Sequence, residues 1–173
     1  KKVCERYGAS PVQSRTGHLF MKQVMRNYNA VYGGEISAHH YFRDFFYCDS
    51  GMIPWLIVSD LLSSSDSNLS DLVSKQKRRF PSSGELNFSI TDPGSVLRSI
   101  EDKYREQAFE IDREDGLSVF FDDWRFNLRG SNTEPVIRLN LETRGDRALL
   151  EKKLAELTLE IEICAEKISL GHR

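Results

Sequence analysis

Six residues near the middle, Arg79-Phe80-Pro81-Ser82-Ser83-Gly84, divide this 173-residue chain into two stretches with different hydrophobic rhythms. A proline, two serines and a glycine directly behind a basic helix end read as a linker, because each weakens or ends regular structure. One uninterrupted sheet or bundle is thereby excluded, and a domain boundary is expected between residues 80 and 81. Charge divides at the same place. Residues 1–80 hold 11 basic and 7 acidic side chains, a formal +4, whereas residues 81–173 hold 13 and 19, a formal −6.

In the first stretch, strands alternate with helices. Gly8 closes a helical tail over residues 1–7. Pro11 to Ser14 is a candidate short strand, and Thr16 is placed to cap a helix whose Leu19, Phe20, Val24 and Met25 are spaced for one buried face. Ala30 to Tyr32 and His40 to Phe46 are further strand candidates on either side of Gly33-Gly34. Helices are expected over Met52 to Ser63, and from Asn68 or Ser70 to the cationic end Lys75, Lys77, Arg78, Arg79. The class expected for residues 1–80 is α/β, a partial layered domain with a mixed sheet and helices.

The second stretch reads differently. Leu86 to Ile90 is a strand, Asp92-Pro93 opens a helix through Val96, Leu97, Ile100 and Tyr104, and strands follow at Phe109 to Asp112, Leu117 to Phe121, Trp124 to Leu128 and Val136 to Leu141. Turns at Asp115-Gly116 and Asp122-Asp123 imply antiparallel hairpins. From Asp146 a long helix spaces Leu150, Leu154, Leu157, Ile161, Cys164 and Ile168 as one apolar stripe. Residues 81–173 are therefore expected to form an α+β domain.

Composition narrows the function classes. With 39% hydrophobic and 10% aromatic residues, disordered, collagenous and disulfide-scaffold chains are excluded. The longest apolar run, Met52 to Val58, contains Pro54 and falls far short of the ~20 residues that span a bilayer, so no membrane partner is expected. Cys4, Cys48 and Cys164 are widely spaced without C-x-x-C and signal neither a disulfide framework nor zinc; a cytoplasmic location fits. No apolar signal segment follows Lys1, and the chain reads as the later part of a longer protein.

Three polar clusters can carry chemistry. In Gly33-Gly34-Glu35-Ile36-Ser37-Ala38-His39-His40, Glu35 and Ser37 project to the same side of an extended loop, where a carboxylate and a hydroxyl suit a vicinal diol. A capped turn with Glu35 in solvent uses the same residues. His39 and His40, adjacent on a strand, point to opposite faces and do not share an ion. In Arg129-Gly130-Ser131-Asn132-Thr133-Glu134-Pro135, a guanidinium, hydroxyls and an amide can converge on an oxyanion, with phosphate the natural guest; a loop bonded to itself is the alternative. Thr16-Gly17-His18 opens a helix, where amides and dipole favour an anion, although Thr16 as a simple cap explains it too. The run Tyr41, Phe42, Phe45, Phe46, Tyr47 reads as core, because basic residues are not interleaved with it as nucleic-acid readers require.

The three clusters in this order, T-G-H, G-E-x-S-x-H and R-x-S-N-T-E-P, resemble the C-terminal half of the α-D-phosphohexomutase (phosphoglucomutase/phosphomannomutase) family. The stretch Gly33 to Asp44, with Cys48-Asp49-Ser50-Gly51-Met52 beyond it, is similar in particular to bacterial phosphomannomutases of GDP-mannose and surface-polysaccharide synthesis. The resemblance implies a four-domain enzyme of which residues 1–80 are the end of the third domain and residues 81–173 the fourth. That fourth domain would be a four-stranded antiparallel-type sheet with two helices, TATA-box-binding-protein-like. It also implies an interconversion of hexose 6-phosphate and 1-phosphate through a phosphoserine and a bisphosphorylated sugar, assisted by Mg2+.

By matching position, Glu35 and Ser37 would hold the sugar's ring hydroxyls with His39 close by, Gly17 and His18 would line the site, and Arg129, Ser131, Asn132 and Thr133 would grip the phosphate that is not reacting. Mannose phosphates are the expected substrates, with glucose or glucosamine phosphates as rivals within the family and a non-catalytic α+β interaction module as the reading outside it. The −6 charge of residues 81–173 argues against nucleic acid.

Two departures qualify the resemblance. Asp122-Asp123-Trp124 stands where the family has an Asp-Gly-Trp-like turn, which asks Asp123 for the left-handed conformation that glycine accepts more easily. No T-A-S-H-N-P-like serine loop and no D-G-D-x-D-R-like metal loop occurs in the 173 residues. The nucleophile and the magnesium ligands are therefore expected in an N-terminal half of the same enzyme, and this chain alone is expected to be inactive.

Overall fold

The computed structural model describes residues 4, 6–131 and 134–171. The chain packs as two compact units, Lys1–Leu69 and Ser70–Arg173.

The first unit opens on a turn at Gly8 (φ +68°), where the Ala9 N–H donates to the Cys4 carbonyl at 2.8 Å, the closure that a helix end makes through a left-handed glycine. Pro11 to Ser14 is not a strand. An extended segment joins a sheet only where a neighbour's amides and carbonyls meet it, and none of the described residues does. Helix α1 (His18–Asn27) is capped by Gly17, at φ 127°, and not by Thr16 as its sequence implies.

Strands β1 (Tyr32–Gly34), β2 (His40–Phe42) and β3 (Cys48–Asp49) form a sheet in that order, antiparallel throughout, as their short connections require. β1 runs through the glycine pair instead of ending before it. A Cβ on Gly33 would lie 2.8 Å from the sulfurs of Met21 and Met25, so a side chain there would make both methionines of α1 shift. β2 stops at Phe42 because Arg43–Phe45 coils into a 3-10 turn and Phe46 and Tyr47 both take φ 57°. Of the aromatic run expected in the core, Tyr41 is buried but Phe46 is 81% exposed. Helix α2 (Met52–Ser63) has the expected bounds and no buried residue; Trp55, Leu56, Ile57 and Leu61 are all more than half exposed.

Helix α3 (Leu69–Arg79) ends in Lys77, Arg78 and Arg79, which suit the negative end of its dipole. The residues that read as a linker turn out to be structural. Pro81 is buried and accepts the Thr143 N–H at 3.0 Å, and strand β4 (Ser82–Ser89) begins directly after it. Serine and glycine here build a bulge. The register slips between Ser82 and Glu85, Gly84 takes φ +69°, and the Ser83 hydroxyl accepts the Leu141 N–H that the slip leaves without a ladder partner.

The second unit continues with helix α4 (Pro93–Tyr104), whose cap Asp92 accepts the Ser95 N–H at 3.0 Å. Strands β5 (Glu110–Asp112), β6 (Leu117–Phe120), β7 (Trp124–Gly130) and β8 (Val136–Thr143) follow, and then helix α5 (Arg147–Gly171). The sheet is antiparallel in the order β4-β8-β7-β6-β5; the short β5, read as a strand over Phe109 to Asp112 in the sequence, adds an edge to the four-stranded sheet that the family resemblance implies. One face packs Phe126, Leu128, Ile137, Leu139 and Leu141 against Val96 and Ile100 of α4 and Leu157 and Ile161 of α5, all fully buried. The other face is polar, as the alternation of β7 and β8 dictates. The turn before β7 leaves Asp123 outside the positive-φ residues, contrary to expectation. Among the described residues no helix is long and apolar enough to cross a membrane.

Candidate functional site

The start of α1, the β1–β2 turn, β2 and the end of β3 converge on one open pocket of about 480 Å³ within the first unit. Five residues singled out in the sequence line it: Gly17, His18, Glu35, Ser37 and His39. Their separation along the chain closes because β1 and β2 pair in register, Gly34 opposite His40, and bring the turn between them over the start of α1.

Glu35 is the hub. Its Oε1 accepts the Gly17 N–H at 2.8 Å and its Oε2 accepts the Tyr41 hydroxyl at 2.7 Å. The anion expected at the α1 N-terminus is thus the protein's own carboxylate, placed where helix amides and dipole favour it. The reading of Glu35 as a solvated turn residue does not survive this geometry. Its backbone is also fixed: the Glu35 N–H donates to the His39 carbonyl at 3.0 Å, the Ala38 N–H donates to the Glu35 carbonyl at 3.0 Å, and Ala38 takes φ 64° to close the turn.

The two histidines diverge, as strand alternation requires. His39 Nδ1 lies 3.2 Å from Asp49 Oδ2, while His40 Nδ1 lies 2.6 Å from the Tyr32 hydroxyl. The hydrogen bond from His39 holds the Asp49 carboxyl below the usual carboxylate range, with the nearby Lys22 ammonium adding to the effect. Burial, the bond to Glu35 and the carboxylate charge push the Tyr41 phenol far above its ordinary value, so it stays a donor at neutral pH.

Lys22, Tyr41 and Asp49 line the pocket and were not picked out as site residues in the sequence. Lys22 stands four positions after His18 on α1, a spacing that puts both on one helix face. Tyr41 was hidden by its second job, since it is also core. Chemically the pocket gathers acceptors (Glu35, Asp49), a hydroxyl (Ser37), imidazoles (His18, His39) and an ammonium (Lys22), a set suited to a polyhydroxylated ligand carrying negative charge.

The other cluster lies at the β7–β8 end of the second unit. Arg129 projects on the polar face of the sheet, where Nη2 lies 3.4 Å from Glu85 and Nη1 3.8 Å from Asp115. Arg138, directly opposite Arg129 on β8, shares Glu85 at 3.3 Å, so one carboxylate offsets two facing guanidinium groups. The Ser131 N–H donates to the Val136 carbonyl at 2.9 Å and closes the loop. Asn132 and Thr133 lie outside the described residues. Among the described residues, no three His, Cys, Asp or Glu side chains gather to hold a metal ion.

Comparison with known proteins gives these sites a family. Residues 1–80 match the sequence model of the phosphoglucomutase/phosphomannomutase alpha/beta/alpha domain III, and residues 85–159 match that of the phosphoglucomutase/phosphomannomutase C-terminal domain. A phosphomannomutase of Salmonella montevideo is 53% identical over 150 residues, covering 87% of this chain and 33% of the relative. A protein of Xanthomonas campestris pv. campestris named phosphohexose mutases is 52% identical over 157 residues, covering 91% and 35%. The fold of a phosphoglucomutase/phosphomannomutase family protein from Burkholderia thailandensis superposes with a TM-score of 0.76 at 24% identity, over 94% of this chain and 34% of the other. The chain spans about a third of the length of the curated relatives it matches. From residue 1 to residue 159, by two adjoining domain matches and by identities above 50%, the chain belongs to the phosphoglucomutase/phosphomannomutase family.

Proposed function

We propose that this chain supplies the sugar-reading and phosphate-gripping parts of a phosphomannomutase, an enzyme that interconverts mannose 6-phosphate and mannose 1-phosphate through a phosphoserine and a bisphosphorylated intermediate. The observation that carries the reading is the convergence of Gly17, His18, Glu35, Ser37 and His39 on one pocket, in a chain whose relatives include phosphomannomutases. In this reading residues 1–80 are the end of the third domain and residues 81–173 the fourth.

Glu35 and Ser37 hold ring hydroxyls, and His18 and His39 border them. Arg129, Ser131, Asn132 and Thr133 bind the phosphate that is not reacting. Binding energy from these remote groups orients the reacting end, where it lowers the barrier more than extra affinity would. For Arg129 to take a phosphate it must exchange the carboxylates of Glu85 and Asp115 for the ligand, or share it with them.

The described residues do not fit a magnesium site, His39 with Asp49 being a pair and not a cage. The ion would be held, with the phosphoserine, by other parts of the whole enzyme, so the isolated chain is inactive. The enzyme would work in the cytoplasm and feed GDP-mannose and polysaccharide synthesis.

A coupled assay of the whole enzyme on mannose, glucose and glucosamine phosphates tests the reading. The proposal expects turnover of mannose phosphates at the highest kcat/KM. A higher value for glucose or glucosamine phosphate would move the enzyme to another branch of the family, and turnover of none would overturn the proposal.

A further inference from the structure

The Glu35 carboxylate meets two protein donors of different kinds. One is the backbone N–H of Gly17, a main-chain group; the other is the hydroxyl of Tyr41, which only this side chain brings to that point. Tyr41 sits on the central strand of its sheet, opposite Gly33 on one side and Asp49 on the other, and is 1% exposed. Phenylalanine would fill the same space, so packing alone does not account for a polar atom there. With one lone pair of each oxygen bonded to the protein, each oxygen keeps a second acceptor site, and Glu35 lines the pocket.

We propose that Tyr41 is a positioning residue of the sugar site: its hydroxyl, with the Gly17 N–H, fixes the plane of the Glu35 carboxylate so that both oxygens are aimed in advance at neighbouring ring hydroxyls. The proposal rests on the reading of Glu35 as a sugar ligand. A carboxylate held at both oxygens loses little freedom when substrate arrives, and this preorganisation shows as substrate affinity and correct orientation. The Gly17 bond ties the turn after β1 to the start of α1 and the Tyr41 bond ties it to β2, so Glu35 and His18 are placed as one unit.

A double-mutant cycle on the whole enzyme tests this, with kcat and KM for mannose phosphate measured for wild type, Tyr41→Phe, Glu35→Ala and the double variant. Tyr41→Phe is expected to lower kcat/KM about tenfold, the scale of a hydrogen bond to a charged group, chiefly through KM. In the Glu35→Ala background the same substitution is expected to change nothing further, because the residue it acts through is gone. An unchanged kcat/KM in Tyr41→Phe overturns the proposal. So does an equal loss in both backgrounds, which would be a structural effect that ignores Glu35, and so does a Tyr41→Phe enzyme that does not fold. If Glu35→Ala itself leaves kcat/KM unchanged, the sugar-binding reading fails instead.

Discussion

At the residue scale, Arg129 is where sequence and structure pull hardest against each other. A guanidinium beside Ser131 reads as half of an anion grip, yet it faces two carboxylates. These readings are compatible if Glu85 and Asp115 hold the fork ready and a phosphate, with more charge, displaces or joins them. Arg129→Ala in the whole enzyme is then expected to lower kcat/KM between about tenfold and a hundredfold, the scale of a charge-assisted bond; unchanged steady-state kinetics would remove Arg129 from the site. The His39–Asp49 pair gives a pH prediction. Asp49 has a folded pKa below its unfolded value, so the pair's contribution is complete above the ordinary carboxylate value of about 3.9 and is lost as pH falls through the lower folded one. A carbon-13 titration of the Asp49 carboxyl should show a midpoint below about 3.9 that rises in His39→Ala; a normal midpoint would mean the hydrogen bond is not maintained in solution. Glu35 and Ser37 stand out in the sequence as a carboxylate and a hydroxyl on one side of a loop, and His39 through the family resemblance, although a capped turn uses the same residues; the structure brings all three to one pocket. Tyr41 and Lys22 do not stand out, since an aromatic on a strand and a lysine on a helix each have an ordinary reading that local sequence cannot exclude.

At the scale of elements, the sequence was most reliable where periodicity runs long. The α5 stripe was legible because many residues vote on one period, and the α4 cap because Asp92-Pro93 is a local start signal; the bounds of α2 were legible too, although that helix is apolar all round. Short pieces failed. Pro11 to Ser14 lacks a partner among the described residues, and the Pro-Ser-Ser-Gly run is equally good chemistry for a loop and for a bulged strand start; only the Leu141 N–H that Ser83 accepts decides between them. The hairpin between β5 and β6 shows a glycine with no substitute. Gly116 has φ +75°, and a Cβ there would lie 2.4 Å from the Leu128 carbonyl oxygen. Backbone clash and left-handed strain together should make Gly116→Ala cost about 2–4 kcal/mol of the second unit's stability, read by urea unfolding. A loss below about 1 kcal/mol would mean the hairpin relaxes without β7.

At the scale of the molecule, the two units differ in how complete they are. Among the described residues, the second has a closed core of fourteen buried apolar residues. In the first, Met25 and Tyr41 are the buried hydrophobics, and α2 turns Trp55, Leu56, Ile57 and Leu61 outward on every side. A helix apolar all round is one that other elements cover, in keeping with a chain that spans a third of its relatives' length. Replacing Trp55 and Leu61 by Gln should therefore reduce self-association of this chain in sedimentation velocity without lowering its melting temperature; a lowered melting temperature would show that α2 already packs in the chain alone. The formal −2 of the whole conceals these two characters, and the charge split at residue 80 falls where the match to one family domain gives way to the match to the next.

The most direct test of the central claim is a crystal structure of the whole enzyme with mannose 1-phosphate bound. The account predicts ring hydroxyls within about 2.6–3.2 Å of Glu35 and Ser37, with Oε1 and Oε2 of Glu35 still on Gly17 and Tyr41; a sugar seated elsewhere, with the Glu35 pocket filled by solvent alone, would contradict it.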